Sequence, residues 1–299
     1  MDAVFCVDRV GLKHFAVSAT SLAIHRPPLV KRAFLLSVDV QEKDVSRFFD
    51  FLEKSYGLEC ELVRIPSEKF AGFPVHGHVT VGAYFRLLMG EVLPPSVSHV
   101  LYLDTDIAVH QPLESHLRKA TEALDASGYP VAAVAENTVL TRHLHRAGLI
   151  SGPYLQSGVM LIDLAKWREA FSLEYFKNIQ TQYGEKIVWW DQDILNIALK
   201  ERWLELPQIW NGTPGNRTSA TLIYHYAGNQ KPWRFRGEAD DKDIYNHYRK
   251  QTMVLRPLAT DPKTVINYFA RPLKNAKKAI TKRLKAISKR ARSNRLLSL

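Results

Sequence analysis

The chain has few cysteines and lacks long apolar runs. Only two of its 299 residues are cysteine, Cys6 and Cys60, which excludes a disulfide-stapled scaffold and favours reduced thiols. No run of about 18 apolar residues occurs, so no membrane-spanning helix is expected. The N-terminus lacks a basic start followed by an apolar stretch, so no secretory signal is expected either. The 46% of hydrophobic residues and 24% of charged residues indicate a folded globular protein.

The body of the chain has no excess of charge. Residues 271–299 hold 11 of the 41 Lys and Arg residues and no acidic residue. Without them, 30 basic residues face 30 acidic ones, so the net charge of +11 belongs to the C-terminal segment. A nucleic-acid binder would spread basic residues over a face of its body, and no nucleic-acid partner is expected.

The C-terminal segment has its own pattern. Apolar residues recur between its cations at steps of three or four: Leu273, Ala276, Ile280, Leu284, Ile287 and Ala291. This predicts a basic amphipathic helix, which suits an anionic membrane surface. We therefore divide the chain into a main domain, 1–255, and a basic tail, 256–299, for which the alternative is a solvated tail.

Short apolar runs alternate with helical patterns along the main domain. Strands are predicted at residues 4–7, 33–38, 60–65, 100–103, 131–134 and 158–164, and Gly57 is predicted to end a helix. This alternation predicts an α/β domain with a mostly parallel central sheet. The run at 100–103 is wholly apolar, which is typical of a strand buried on both faces. Ligands of such sheets bind beyond the carboxyl ends of the strands.

Two acidic residues follow that buried strand. If Asp104-Thr105-Asp106 continues it in extended form, the two carboxylates point the same way. Converging carboxylates repel each other unless a cation lies between them, and a hard divalent cation meets that need. The alternative is a pair of solvated loop acids.

A second candidate lies near the end of the main domain. His225 is followed by Gly228, where backbone can approach a ligand, and by Lys231, a point charge suited to phosphate. An imidazole together with two carboxylates favours Mn²⁺ over Ca²⁺. The alternative for His225 is a structural histidine.

The third candidate is the acidic start of a helical pattern. Asp191 and Asp193 flank Gln192, and acids are favoured at helix N-termini in any case. Gln192 adds nothing to a cap, which indicates a polar role in a site.

Together these segments strongly resemble glycosyltransferase family 8. The motifs are residues 101–106 (LYLDTD), 157–164 (SGVMLIDL), 190–196 (WDQDILN), 206–211 (LPQIWN) and 225–233, with HYAG followed by KPW. Residues 70–74 and 84–87 resemble the bacterial lipopolysaccharide galactosyl/glucosyltransferase branch. The resemblance covers about residues 1–233 and implies a GT-A fold, an α/β fold that binds nucleotide-diphospho-sugars.

The resemblance implies an activity and a set of site residues. A hexose, galactose or glucose, would pass from a UDP-sugar to a saccharide acceptor, such as a lipopolysaccharide or another cell-envelope glycan, with retention at the anomeric carbon. Mn²⁺, with Mg²⁺ as the alternative, would be held by Asp104, Asp106 and His225. The donor would be bound by these two aspartates with Asp8, His78, Arg86, Thr105, Gln156, Gly228 and Lys231. Asp191 would orient the donor sugar, and Glu136 would face donor and acceptor sugars.

Gln192 falls where the family places a group on the reacting face of the sugar. A carboxylate there could form a covalent intermediate, whereas an amide is a poor nucleophile. We therefore predict front-face attack, in which Gln192 and Asp191 are the catalytic residues and the leaving phosphate takes the acceptor's proton.

The chain departs from the family at two places. Arg9-Val10-Gly11 replaces an acid or Asn followed by Tyr near the uracil, so base recognition is expected to differ. Gln156 replaces an Asn that touches the sugar and is one methylene longer, which leaves the choice between galactose and glucose open.

A glycolipid acceptor would make tail docking useful, so we predict a cytoplasmic protein attached peripherally to the inner face of the membrane. Three alternatives remain. The first is a glycogenin-like self-glucosylating initiator, but the tail of this chain has no tyrosine after Tyr268, which argues against a modified tail tyrosine. A haloacid-dehalogenase-type phosphatase would need Thr or Val where Ala108 stands. A nucleic-acid-binding protein acting through its tail leaves His225 and the two aspartates unexplained.

Overall fold

A seven-stranded sheet forms the centre of the protein. The computed structural model describes residues 1–74, 81–136, 141–228, 231–234 and 239–253. The strands of the sheet are β1 (Asp2–Cys6), β2 (Arg32–Ser37), β3 (Glu59–Arg64), β4 (His99–Leu103), β6 (Val131–Ala135), β7 (Leu155–Asp163) and β8 (Leu204–Leu206). They lie in the order β3-β2-β1-β4-β7-β6-β8. Two short strands, β5 (Ile107–Val109) and β9 (Ile223–His225), pair with each other in a separate antiparallel sheet.

The prediction of a mostly parallel sheet is confirmed. Strands β3, β2, β1 and β4 run parallel to one another, as do β6 and β8. Strand β7 runs antiparallel to both β4 and β6, so the sheet is mixed at that point. β7 also begins three residues before its predicted start, because the polar Gln156 and Ser157 interrupt the apolar pattern.

Helices cover the sheet on both faces. They are α1 (Leu12–His25), α2 (Glu42–Tyr56), α3 (Met89–Val92), α4 (Glu114–Ser127), α5 (His143–Arg146), α6 (Leu164–Ala170), α7 (Leu173–Tyr183), α8 (Trp190–Leu199) and α9 (Ala239–Gln251), with 3₁₀ segments at Ser67–Phe70, Val81–Leu88, Gly184–Lys186 and Gln208–Trp210. Helix α2 begins with a reciprocal capping box between Gln41 and Asp44, which satisfies two backbone donors. It ends at Gly57, as predicted, whose φ of 66° is left-handed and favours glycine.

The core lies on both faces of the sheet. Alternate residues of β1 divide between two apolar clusters: Val4 packs in one and Phe5 in the other. On β4, Tyr102 and Leu101 divide in the same way. This is the period of two expected of strands, and it confirms that β4 is buried on both faces.

Backbone pairing after β4 positions the candidate site. Strand β4 ends at Leu103 and a turn at Thr105 and Asp106 follows Asp104, so the extended continuation expected from the sequence is wrong. The chain then enters β5, which pairs with β9 so that Ile107 faces His225. Tyr226 N–H donates to the carbonyl of Asp106 at 2.9 Å. This pairing brings His225 beside the turn although it lies far away in sequence.

The predicted tail lies outside the described residues. Its amphipathic helix and the boundary between a catalytic domain, 1–255, and a tail, 256–299, therefore stay predictions. In the described part of the chain, no helix combines the length and apolar character needed to cross a membrane.

Candidate metal and donor site

Two carboxylates and one imidazole meet at the carboxyl end of β4. The ligand atoms of Asp104, Asp106 and His225 all lie within 4.8 Å of one another. His225 Nε2 is 3.4 Å from Asp106 Oδ1 and 3.9 Å from Asp104 Oδ2. The structure therefore brings together the three residues predicted to hold a cation.

Asp104 presents one carboxylate oxygen to this cluster and has the other held. Its Oδ1 accepts hydrogen bonds from Arg86 Nη2 at 2.8 Å and from the Tyr102 hydroxyl at 2.7 Å. Its backbone N–H donates to the Gly158 carbonyl at 2.8 Å. Oδ2 is the oxygen that faces His225.

The two carboxylate oxygens of Asp106 are divided in the same way, one held by a protein cation and the other facing His225. Its Oδ2 forms a short ion pair with Lys231 Nζ, and Lys231 also donates to the Tyr226 carbonyl at 2.7 Å. Its Oδ1 faces His225. Burial opposes ionisation of Asp106, but Lys231 and His225 together hold the pKa of its carboxyl well below the usual range.

Gly158 on β7 lies directly against this cluster. A Cβ added to it would overlap the His225 ring and lie 2.9 Å from Asp104 Oδ2. The imidazole and the carboxylate can therefore approach β7 closely only because residue 158 is a glycine.

The other nitrogen of His225 faces away from the carboxylates. Its Nδ1 lies 3.0 Å from Asn211 Oδ1 and 3.1 Å from Gln156 Nε2. Histidines that bind metals usually have the second ring nitrogen hydrogen-bonded in this way. The donor set, two hard oxygens and one imidazole nitrogen, fits a divalent cation.

Another carboxylate and histidine grouping, His99 with Asp125 and Asp163, occurs at the opposite end of β4. Asp163 Oδ1 caps helix α6 by accepting two backbone hydrogen bonds, and Oδ2 pairs with Lys166 Nζ at 2.8 Å. His99 Nε2 lies 2.8 Å from Asp125, which is exposed. Since Asp163 uses both oxygens locally, this grouping is explained by the fold.

Arg86 connects the group formed by Asp104, Asp106 and His225, which we call the cation cluster, to the start of α8. Its side chain is 7% exposed and stacks over the Tyr102 ring with 4.5 Å to the centroid. Nη1 donates to Ser157 O at 2.7 Å and to Ser157 Oγ at 3.0 Å. Burial disfavours its charge, but Asp104 and Asp191 outweigh this and raise the pKa of the guanidinium.

Asp191 at the start of α8 is buried beside Arg86. Arg86 Nε lies 3.0 Å from Asp191 Oδ2, but its N–H donates to the Ala83 carbonyl at 3.2 Å. Within the described part of the chain, Asp191 Oδ2 accepts no hydrogen bond. Burial raises the pKa of Asp191 to about 7, with Arg86 opposing and Asp104 adding to the rise. This oxygen is thus paired with the guanidinium by charge but accepts no aligned hydrogen bond, so a ligand hydroxyl would find an acceptor there.

Gln192 is held in one orientation by Ser157 of β7 and by Tyr154, the residue before β7. Its Oε1 accepts from Ser157 N at 2.9 Å and from Ser157 Oγ at 3.1 Å. Its Nε2 donates to the Tyr154 hydroxyl at 3.3 Å, and that hydroxyl donates to Asp193 Oδ1 at 2.6 Å. The amide predicted to face the reacting sugar therefore has a fixed direction.

Asp193 is completely buried and serves the helix. Its Oδ2 accepts from Val188 N at 2.6 Å and from Trp189 N at 2.8 Å, and it lies 2.7 Å from His143 Nε2. The capping interpretation of the sequence suits this aspartate.

The remaining predicted residues lie around the same end of the sheet or outside the described part. Asp8 follows β1 and accepts from Gly11 N at 2.8 Å, and Thr105 lies in the turn between β4 and β5. Gly228 has a φ of 80°, which favours glycine. Glu136 follows β6, where its N–H donates to the Tyr154 carbonyl at 2.7 Å. His78 lies outside the described residues.

Four residues in the site were not singled out from the sequence. Tyr102 precedes Asp104 by two positions, so the strand period could have placed the two side chains together. Asn211 was identified as part of a motif without a role. Tyr154 and Arg217 gave no local signal, although Arg217 Nη2 donates to the His225 carbonyl at 3.1 Å.

A mixed, mostly parallel sheet with converging carboxylates beyond a central strand defines an α/β protein of the GT-A class. The chain belongs to glycosyltransferase family 8, because the family model described as "Glycosyl transferase family 8" matches residues 2–237. The predicted family is thereby confirmed, and the protein is a glycosyltransferase.

Curated relatives place the chain near the lipopolysaccharide branch. Lipopolysaccharide 1,2-glucosyltransferase of Escherichia coli K12 is 27% identical over 78% of this chain and 72% of its own length. Lipopolysaccharide 1,3-galactosyltransferase of Salmonella typhimurium is 26% identical over the same shares, 78% and 72%. General stress protein A of Bacillus subtilis is 26% identical over 66% of this chain and 74% of its own.

A solved structure confirms the predicted fold. The galactosyltransferase LgtC, in complex with donor and acceptor sugar analogues, superposes with a TM-score of 0.74 and 24% identity. The alignment covers 85% of this chain and 97% of LgtC.

Proposed function

We propose that this protein transfers galactose or glucose from a UDP-sugar to a saccharide of the cell envelope, such as a lipopolysaccharide, with retention at the anomeric carbon. The observation that carries the proposal is the convergence of Asp104, Asp106 and His225 beside two cations, Arg86 and Lys231. The names of the two lipopolysaccharide glycosyltransferases support the kind of donor sugar and acceptor.

The three converging residues would hold a divalent cation, with Mn²⁺ favoured over Ca²⁺ because one ligand is an imidazole, and Mg²⁺ as the alternative. When bound, such a cation would neutralise the charge that develops on the departing diphosphate. Lys231 would add a point charge to the same phosphates, and the backbone at Gly228 can approach them without a side chain in the way. Asp8 and Thr105, at the ends of β1 and β4, would contact the nucleotide.

Arg86 and Asp191 would orient the donor sugar. The support is Asp191 Oδ2, which is buried, lies 3.0 Å from Arg86 Nε and accepts no hydrogen bond among the described residues. A sugar hydroxyl would donate to this oxygen. Glu136 would face the donor and acceptor sugars.

Front-face attack fits the groups at the start of α8. Gln192 is an amide, which is a poor nucleophile, and Asp193 has both oxygens engaged by protein donors. Without a covalent intermediate, the acceptor oxygen would attack from the side on which UDP leaves, and the leaving phosphate oxygen would take its proton. Gln192 would then stabilise positive charge on the sugar ring without forming a bond to it.

The test is a panel of UDP-sugars scored for UDP release. We expect release from UDP-galactose or UDP-glucose with Mn²⁺, loss of release with EDTA and recovery with excess Mn²⁺. Water serves as a slow acceptor, so the natural acceptor is not required. Absence of release from every UDP-sugar in the panel, with Mn²⁺ and with Mg²⁺, would contradict the proposed donor.

We also propose that residues 256–299 attach the protein to the inner, cytoplasmic face of the membrane, where a glycolipid acceptor would be reached. Each Lys or Arg near an anionic surface contributes about 1 kcal/mol, and residues 271–299 hold 11 of them. Truncation after Ala270 should release the protein from anionic vesicles at physiological salt. Equal co-sedimentation of the full and truncated chains would rule this attachment out.

A further inference from the structure

The backbone of the candidate metal ligand His225 is held by the side chain of Arg217. Arg217 Nη2 donates to the His225 carbonyl at 3.1 Å, and Arg217 Nε donates to the Gly212 carbonyl, also at 3.1 Å. The Gly212 carbonyl in turn accepts from the His225 N–H at 2.9 Å. One guanidinium therefore reaches the His225 carbonyl directly and the His225 N–H through a shared acceptor.

His225 and its two neighbours lie on opposite sides of the chain. The His225 imidazole faces the cation cluster, whereas Tyr224 and Tyr226 lie against Arg217, whose guanidinium carbon is 4.9 and 5.4 Å from their ring centroids. This alternation is expected of a strand, so a shift or rotation of the backbone at β9 would move the imidazole. Because a cation is attracted to aromatic faces, the two rings also help to hold Arg217 in place.

Helix α9 holds the Arg217 guanidinium from the other side. Arg217 Nη1 forms a short ion pair with Asp241, which lies in the first turn of α9 and whose side chain is 1% exposed. A buried charge is costly without a partner of opposite charge, so each member of this pair requires the other. All three nitrogens of the guanidinium thus have a partner, two of them carbonyls and one a carboxylate. The group cannot turn away from His225 without losing one of these interactions.

We propose that Arg217 is a positioning residue for His225: it fixes the backbone that carries the imidazole, and its ion pair with Asp241 connects helix α9 to the cation cluster. This proposal rests on the proposed function in so far as His225 binds a divalent cation. Arg217 contacts the main chain only, so its effect does not depend on the tautomer of the ring. A ligand that is already in position loses less freedom when the metal binds, and loss of Arg217 should therefore weaken binding.

The primary test is Mn²⁺ affinity, measured by the electron paramagnetic resonance signal of free Mn²⁺ in the presence of UDP. Arg217→Met keeps an unbranched apolar stem and removes every donor. Loss of a group that supports a metal ligand typically weakens binding by about 10–100-fold. We expect about tenfold, the lower end, because Arg217 acts through the backbone and the pairing of β9 with β5 remains.

Arg168→Met is the matched control. Arg168 is also half-buried and also donates to backbone carbonyls, but these belong to residues 90–97, which precede β4 and lie at the end of that strand away from the cation cluster. Its Mn²⁺ affinity should stay within about twofold of the wild type, although its stability should fall. If folded Arg217→Met binds Mn²⁺ as tightly as the wild type, or if Arg168→Met loses as much affinity, the proposal is wrong. If the wild type itself binds no Mn²⁺, the proposed function loses its metal site, which is a separate failure.

A double variant guards against loss of the fold. Arg217→Met leaves the buried Asp241 carboxylate without its cation, which is destabilising by itself, whereas Arg217→Met with Asp241→Asn removes both charges. We expect the same loss of about tenfold in Mn²⁺ affinity in the double variant, because the His225 carbonyl still lacks its donor. Wild-type affinity in the double variant would overturn the proposal.

Hydrogen exchange tests the connection to α9. Coupling between two sites is reciprocal, so a cation bound at the cluster should stabilise the docked helix if Arg217 carries the effect. In the wild type and in Arg168→Met, saturating Mn²⁺ with UDP should slow amide exchange in residues 239–251 by about fivefold or more. In Arg217→Met, exchange in this helix should not respond to saturating Mn²⁺ with UDP. Absence of slowing in the wild type, or equal slowing in Arg217→Met, would contradict the connection through Asp241.

Discussion

The cation cluster and the start of α8 each contain two aspartates, but the two regions use the carboxylate oxygens differently. In the cluster, Asp104 and Asp106 each have one oxygen held by a cation, and the other is directed at His225. At α8, Asp193 has both oxygens engaged by donors of the protein, whereas Asp191 has one that accepts no hydrogen bond among the described residues.

The difference separates residues that serve a ligand from residues that serve the fold. A buried carboxylate costs free energy unless donors satisfy it, so oxygens satisfied by the protein are available for structure alone. A carboxylate with one oxygen paired to a protein cation and the other directed at a shared point is instead arranged to bind a ligand. On this basis Asp104, Asp106 and Asp191 belong to the proposed chemistry, and Asp193 belongs to the helix.

The largest effect is expected from Asp106→Asn. An amide cannot supply the second anionic oxygen of the cluster, and Lewis-acid stabilisation of a leaving group is worth several kcal/mol. At about 1.4 kcal/mol per tenfold, turnover should fall by roughly a thousand-fold or more. The measurement is UDP release with saturating Mn²⁺. Activity within tenfold of the wild type would show that Asp106 is not a ligand of the proposed metal site.

The second prediction concerns the pH dependence of folding. Burial raises the pKa of Asp191 to about 7, well above its value in an unfolded chain. The folded protein therefore holds this proton more tightly, and its contribution to stability is present at low pH and lost as the pH rises from about 4 to 7. At about 1.4 kcal/mol for each unit of pKa, this rise corresponds to on the order of 4 kcal/mol, a net figure that already includes the opposing charge of Arg86.

Urea unfolding of the wild type and of Asp191→Asn across pH 4.5–7.5 measures this contribution. The difference in free energy of unfolding between the two proteins should change in favour of the variant as the pH rises. Other groups titrate equally in both proteins and cancel in the difference. Parallel stability curves would show that Asp191 does not titrate in this range.

The third prediction distinguishes turnover from binding. Gln192→Ala should lower turnover by about 100-fold, in the range seen when one preorganised polar group is removed from a transition state. The affinity for UDP should stay within about twofold, because the contacts of Gln192 are with Ser157 and Tyr154, away from the cation cluster. Turnover can be followed as UDP release and affinity by calorimetry with Mn²⁺. Near-normal turnover would show that the assignment of Gln192 is wrong.

The sequence could predict six of the nine strands in the described part of the chain, the family, and the meeting of Asp104, Asp106 and His225, but the reason given for that meeting was partly wrong. Asp104 and Asp106 converge because a turn follows β4 and because β5 pairs with β9, not because the strand stays extended. The register that sets Ile107 opposite His225 joins residues more than a hundred positions apart. No local pattern encodes it, and only the family motifs linked the two segments.

The partners of the site were harder to predict for the same reason. Asn211, Gln156 and His225 meet through long-range packing of β7, the 3₁₀ segment before Asn211, and β9. Amide side chains carry no charge pattern, so their place in a network follows only from the folded chain. Tyr102 is the exception, since its spacing of two from Asp104 on a strand predicts a shared face.

The smallest effect, and the sharpest test of the comparison between the two regions, is expected from Asp193→Asn. The new NH₂ group would face either the Val188 and Trp189 N–H donors or the Tyr154 hydroxyl, so at least one hydrogen bond to the carboxylate is lost. Hydrogen bonds to a charged group contribute about 1.5–3 kcal/mol, and we expect a loss of about 2 kcal/mol in the free energy of unfolding. Mn²⁺ affinity should be unchanged, because Asp193 does not contact the cation cluster.

Urea unfolding and Mn²⁺ titration of Asp193→Asn, beside Asp106→Asn, would show opposite patterns: Asp193→Asn loses stability and keeps the metal, whereas Asp106→Asn loses the metal. If Asp193→Asn instead loses Mn²⁺ affinity at unchanged stability, the division between aspartates that serve a ligand and aspartates that serve the fold is wrong.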